Sequence, residues 1–345
     1  MPVDNESFVI WNAAQGEEKG PSTVEGHGDR QRVTLQMIVT ITLNPLVDRT
    51  VFVERLRKGV ISRTERKEIV AGGKGVNVAR VLKNFGLPVR ALVMLGGHTG
   101  KLLAEFIRGE SIPLIPFWVR SPTRFSTRIH ESSRELNTTL IEEGNPITRD
   151  EVRRLKEKAM ASVRRARVLV LSGSVPGANL ATMYRDLIRE AHKNKTLTIL
   201  DTYGEAFLRG LEASPFMVKP NRAEYESSTG NPLRGAADYE EAFRHFHSRG
   251  IDLVVISLGK RGLRASFKGE TFVVKPPSIA EIMPVGSGDC LIAGIVYGLT
   301  RNLPVEECLR WGAAAGCANA AVWPIADLSR KEVERYLPRV AIRRR

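Results

Sequence analysis

VLVLSGSVPGANLATMYRDLIREAHKNKTLTIL, residues 168–200, sets two apolar runs on either side of a helix-length stretch. Residues 168–171 and 197–200 show no polar alternation, as expected of strands covered on both faces. Residues 180–193 carry apolar side chains at helical spacing. A strand, a crossover helix and a second strand make a parallel pair. The pattern continues outward. Residues 38–43, 91–95, 216–218 and 253–257 read as further buried strands, and 75–85, 150–166 and 239–248 as helices. The fold class this predicts is α/β, a mostly parallel central sheet with helices on both faces.

Two regions break the pattern. Residues 50–54 and 124–141 alternate polar and apolar, and TRFSTRIHES and ELNTTLIEEG read as an antiparallel pair. They predict a small β lid, formed by about 50–70 and 114–142, over a site on the main sheet. Residues 1–36 are polar and Gly-rich without a sustained period, so a disordered extension is expected there. The main domain is then 37–338, followed by a basic tail, 339–345. No stretch reaches the ~18 to 20 apolar residues of a membrane helix, and the N-terminus lacks a signal pattern, so a cytoplasmic protein is expected. Cys290, Cys308 and Cys317 form neither a metal-binding spacing nor a disulfide framework. The net charge is +14. Aromatics are only 6% and do not interleave with the basic residues, which argues against nucleic acid as a partner. Part of the charge is expected to serve an anionic substrate.

Several strings suggest chemistry. Val285-Gly286-Ser287-Gly288-Asp289 precedes the helical run CLIAGIVYGL. Small residues at a helix start leave N–H groups free for an anion, and an aspartate there is stabilised by the helix dipole, which should also lower its pKa. The plain alternative is an Asp that only caps its helix. Gly72-Gly73-Lys74-Gly75-Val76-Asn77 opens another helix, with Lys74 as a point charge and Asn77 within reach of a hydroxyl. Asn44 and Asp48 follow the first strand, where α/β sheets bind ligands. Arg124, Ser126 and Arg128 share one face of a strand, where the arginines could clamp a phosphate. Asn221 and Glu224 share a helix face and could order Mg²⁺ and its waters. Ser257, Gly259 and Gly262 end a strand as a loop approaching a nucleotide would. His130 is expected to be structural.

Taken in order, TLNPxxD, GGKGxN, LGGxTG, TRxxxR, LSGSVP, KPNxxE, SLGxxG and VGSGD resemble the ribokinase-like (PfkB) carbohydrate kinases over about 37–330. Within that family the chain is most similar to the branch of 1-phosphofructokinases and tagatose-6-phosphate kinases. The resemblance implies a three-layer sandwich with a β lid, ATP as phosphoryl donor, Mg²⁺, a sugar-phosphate substrate and a homodimer through the lid. It implies Asp289 as catalytic base and Gly286, Ser287 and Gly288 as anion hole. Asp48, Gly72, Gly73, Lys74, Asn77, Arg124 and Arg128 become the sugar-phosphate site. Lys219, Asn221, Ser257, Gly259, Gly262 and Asn319 become nucleotide positions, with Glu224 acting indirectly on Mg²⁺. Ser126 stands where many 1-phosphofructokinases have asparagine, and Trp323-Pro324 where a small residue is usual. The expected reaction is phosphorylation of fructose 1-phosphate at O6. Tagatose-6-phosphate kinase, another sugar or nucleoside kinase, or a non-catalytic basic binding protein stay open as alternatives.

Overall fold

The computed structural model of the protein describes residues 37–345, so the extension expected over 1–36 lies outside the described residues. Burial on both faces is what the apolar runs require, and a ten-stranded sheet supplies it. Parallel strands are β1 (Ile38–Thr42), β4 (Val89–Gly96), β5 (Leu114–Val119), β8 (Val168–Ser172), β9 (Leu197–Asp201), β10 (Met217–Val218) and β11 (Leu253–Ser257). Antiparallel β12 (Leu263–Phe267), β13 (Glu270–Lys275) and β14 (Ala341–Arg344) extend one edge.

Alternate residues of each strand enter different cores. Val168 and Val170 face one cluster, and Leu169 and Leu171 the other. The first lies beneath α1 (Lys74–Asn84), α2 (Gly97–Gly109), α8 (Ser287–Thr300) and α9 (Val305–Ala320). The second lies beneath α3 (Arg149–Val163), α4 (Met183–Lys193), α5 (Gly204–Leu211), α6 (Arg222–Thr229) and α7 (Ala236–His247). The expected layers are therefore present. No helix among the described residues is long and apolar enough to cross a membrane.

β1 pairs with β8 on one side and β4 on the other, so the strand order reverses there. Such a reversal opens a crevice at the carboxyl ends of parallel strands. Above it sits a second sheet, ordered β3-β2-β6-β7, from β2 (Leu46–Val53), β3 (Arg66–Gly72), β6 (Arg124–Glu131) and β7 (Leu136–Ile141). β6 and β7 are the antiparallel pair read from the sequence, whereas β2 and β6 run parallel.

Two expected boundaries need correction. Residues 114–119 are β5, the edge strand of the main sheet beside β4 (Ala91↔Leu114), so the second lid segment begins at Arg124. The apolar content of β5 belongs with the buried sheet rather than with a solvated lid. Nor are 339–345 a free tail, because β14 pairs with β13 (Phe272↔Arg344). Val340 is 2% exposed, and Arg310 donates to its carbonyl at 2.5 Å. The arginines that suggested a tail face outward from an edge strand, where charge discourages further pairing.

Candidate active site

The turn before α8 exists because Gly286 has φ +83°, and a Cβ there would lie 2.7 Å from Ile325 Cγ2. Either constraint alone calls for glycine. The chain then enters α8 with Asp289 in its first turn, 5% exposed. Asn77 Nδ2, from α1, donates to Asp289 Oδ2 at 2.8 Å. Burial pushes the Asp289 carboxyl up to about 7. Lys74 opposes the rise, Asp201 adds to it, and the Asn77 bond and Lys219 oppose it more weakly. The lowering expected from the helix N-terminus is thus overturned, because desolvation of a buried carboxylate outweighs the dipole.

Lys74 is the first residue of α1 and faces the same crevice. Its Nζ lies 2.9 Å from Glu224 Oε1 and 3.4 Å from Asp201 Oδ2. Burial works against its charge, but Asp201, Glu224 and Asp289 hold the ammonium well above its ordinary pKa. Lys219, 2% exposed, places Nζ 3.1 Å from Asp201 Oδ1. A Cβ on Gly288 would sit 3.3 Å from that same Nζ, so the lysine flanks the glycine turn. Asp201 ends β9, and Ser172 Oγ donates to its Oδ2 at 3.1 Å. Although burial alone would raise it, Lys219 and Lys74 hold the Asp201 carboxyl below its usual range. Sequence reading missed Asp201. Its only signal was an acid closing an apolar strand at the carboxyl end.

The lid contributes Asp48 from β2 and Arg124, Ser126 and Arg128 from β6, all lining the crevice as the shared strand face predicts. Arg128 Nη2 lies 3.5 Å from Asp48 Oδ2, and its Nη1 donates to Thr50 Oγ1 at 3.2 Å. Arg124 donates to the carbonyls of Glu142 at 2.8 Å and Asn44 at 3.1 Å. Among the described residues, two buried atoms of this face lack a partner: Asp48 Oδ1, an acceptor, and Arg124 Nε, a donor. Leaving such atoms unmatched costs roughly 1–3 kcal/mol each, so they favour a polar ligand. Gly72 and Gly73 line the crevice where lid and α1 meet. His130 is 7% exposed, bonds Asn137, and packs against Phe52 and Trp323, which fits a structural role.

Asn221 and Glu224 form a capping box. Asn221 Oδ1 accepts from Glu224 N at 2.8 Å, and Glu224 Oε2 accepts from Asn221 N at 2.9 Å. This leaves Glu224 Oε1 facing Lys74 and the crevice. No group of three or more His, Cys, Asp or Glu side chains among the described residues is placed to hold a metal. With Oε1 held by Lys74 and Oε2 by the Asn221 N–H, Glu224 suits an indirect hold, through water, on an Mg²⁺ ion bound mainly by phosphates. Ser257, Gly259 and Gly262 line the far end of the crevice. Gly262 has φ +89°, and a Cβ would come 2.0 Å from Val274 O, so it is needed for the hairpin to close.

Asn319 departs from its expected place beside a nucleotide base. It is 0% exposed. Its Nδ2 donates to Val285 O at 2.9 Å and Ser287 Oγ at 3.0 Å, while its Oδ1 accepts from Ala326 N at 2.7 Å. It braces the glycine turn from behind. Apolar residues do line this end, among them Pro277, Ile279, Ala313 and Ala320, a slot that dispersed residues build and no string announces. The whole crevice has a volume of about 1230 Å³. A single small-ligand site spans roughly 300–1,000 Å³, so two ligands can share this one.

Residues 36–322 match the family described as pfkB family carbohydrate kinase. A 1-phosphofructokinase of Bacillus subtilis is 28% identical, over 89% of this chain and 100% of its own length. A tagatose-6-phosphate kinase of Staphylococcus epidermidis is 32% identical, over 82% and 92%. The crystal structure of phosphofructokinase-2 from Escherichia coli with substrates and products superposes at a TM-score of 0.80. It is 27% identical, and the match covers 88% of this chain and 98% of that one.

Proposed function

Since this chain belongs to the pfkB family of carbohydrate kinases, we propose that it transfers the γ-phosphoryl group of ATP to O6 of fructose 1-phosphate. The observation that carries the reading is one crevice holding a buried carboxylate poised near neutrality, a glycine turn flanked by Lys219, and unpartnered polar atoms on the lid. Asp289 takes the proton of the attacking hydroxyl. A carboxyl raised to about 7 is better matched to that task than an ordinary one. The amides of Gly286 and Gly288 face the charge that develops on the moving group, the Ser287 N–H already donating to Pro284 O at 3.2 Å, and Lys219 stands beside them. Asp48 Oδ1 accepts a sugar hydroxyl. Arg124 and Arg128 hold the phosphate the sugar already carries. Asn77 is engaged with the base and serves the sugar through it. Ser257, Gly259, Gly262 and the apolar slot receive the nucleotide. Glu224 orders Mg²⁺ through water, and the ion supplies charge neutralisation when bound. Phosphoryl transfer has a loose transition state, so position and charge dominate over base strength.

The strand β7 exposes Leu136, Leu140 and Ile141, which supports a homodimer formed through the lid. Tagatose 6-phosphate as the substrate is the second reading, favoured by the Staphylococcus relative.

Rates of ADP formation with fructose 1-phosphate, tagatose 6-phosphate, fructose 6-phosphate and free sugars test the assignment. Fructose 1-phosphate is expected to give the highest kcat/KM, by about tenfold or more, equivalent to ~1.4 kcal/mol of differential transition-state binding. A preference for tagatose 6-phosphate would transfer the assignment to the second reading. A preference for unphosphorylated sugars would sink both.

A further inference from the structure

Arg80 lies on α1 and is 5% exposed. A buried guanidinium needs acceptors for five N–H groups, and this one has them. Nε and Nη2 grip the carboxylate of Glu110, just past α2, at 2.5 and 3.1 Å. Nη2 also donates to Ala71 O at 2.6 Å. Nη1 donates to Asn77 Oδ1 at 2.8 Å and reaches Ile325 O at 3.5 Å. The consequence falls on Asn77. Its amide stands between a guanidinium, which can only donate, and Asp289, to which its Nδ2 donates. Turning that amide over would set its NH₂ against the guanidinium and its oxygen against the carboxylate. Only one orientation is compatible with both neighbours.

We propose that Arg80, anchored by Glu110, is a positioning residue for phosphoryl transfer: it fixes the Asn77 amide as a donor to Asp289 and so holds the base in place, ready to accept a proton. This rests on the kinase reading of the site. The same guanidinium reaches Ala71 at the root of the lid and Ile325, whose side chain packs on Gly286. One buried cation thus links lid, base and glycine turn. The other charged groups facing Asp289 are Lys74, Asp201 and Lys219, with Glu224 acting through Lys74, and burial keeps the adjoining Cys290 thiol protonated. A change at position 80 replaces none of these side chains, and loss of the Arg80 charge would only push the Cys290 thiol further up.

With Arg80→Met the amide is free to turn, and a protonated Asp289 can donate to Asn77 Oδ1, which favours the neutral acid. The Asp289 carboxyl can be followed by ¹³C NMR titration, its signal assigned by loss in Asp289→Asn. Its midpoint is expected to rise by about one unit in Arg80→Met. It should stay at the wild-type value in Arg80→Lys, which keeps a donor-only cation against Asn77. The acid limb of kcat/KM should move with it. A folded Arg80→Met protein with an unmoved midpoint overturns the positioning role. If that variant does not fold, Asn77→Ala must raise the midpoint similarly, and an unmoved midpoint there overturns the role too. Variants that show these shifts alongside a wild-type protein that transfers no phosphoryl group would instead sink the kinase reading and leave the hold of Arg80 on Asn77 and Asp289 standing.

Discussion

The carboxyl of Asp289 makes opposite demands on activity and stability. As the proposed base it must be ionised, so wild-type turnover is expected to fall as pH drops through about 7. Asp289→Asn should cut turnover by about 10²- to 10⁴-fold while nucleotide affinity changes little. Steady-state rates beside nucleotide titrations check this, and ordinary turnover in the variant would remove Asp289 from the mechanism. For stability the sign runs the other way. Between the ordinary value of 3.8 and about 7 the folded protein binds more protons than the unfolded chain, so this group costs stability as pH rises across that window. The asparagine variant escapes that cost. Its thermal midpoint should exceed the wild type by a few degrees at pH 8 and by much less near pH 4. A lower midpoint at pH 8 would show that the raised pKa is wrong. At this scale the sequence was legible where crevice residues sit in contiguous strings, as in 285–289 and 72–77. It was not legible where partners come from separate strands. Asp201 and Arg80 look like ordinary charges until the fold buries them, and the buried place of Asn319 depends on a loop 34 residues away at Val285.

Among the elements, the lid is tied to the body by a contact that the sequence marked only as an anomaly. Trp323 follows α9, and its Nε1 donates to Glu68 Oε2 of β3 at 2.6 Å. Its ring packs against Phe52 of β2 at 4.9 Å and His130 of β6 at 5.1 Å. Aromatic pairs of this kind contribute roughly 0.5–1.5 kcal/mol beyond their burial. Trp323→Ala should therefore loosen the lid, raising KM for the sugar phosphate about tenfold and increasing ATP hydrolysis in its absence. Initial rates with and without sugar phosphate test this, and unchanged values of both would mean the contact has no part in closure. The layers and most element types followed from periodicity, since buried parallel strands and amphipathic helices have distinct patterns. β5 and β14 were misplaced because an edge strand has one unprotected side and reads like lid or tail.

For the molecule as a whole, one outer edge of the lid is β7, where Leu136, Leu140 and Ile141 are 50%, 62% and 59% exposed. Leu140→Lys should convert the proposed lid dimer to a monomer in sedimentation velocity, because edge charge opposes strand pairing. An unchanged mass would place the interface elsewhere. The net charge of +14 is compatible with an anionic substrate but says nothing of where it binds. The crevice already matches its Lys74 and Lys219 to Glu224 and Asp201. It therefore behaves like a loaded ion exchanger whose resident counter-ions are part of the chain. Chloride and other monovalent anions offer those lysines too little to exchange partners, whereas a polyphosphate arriving with its own divalent cation supplies a replacement for both sides of each pair. Selection among anions in such a site is by valence before it is by shape.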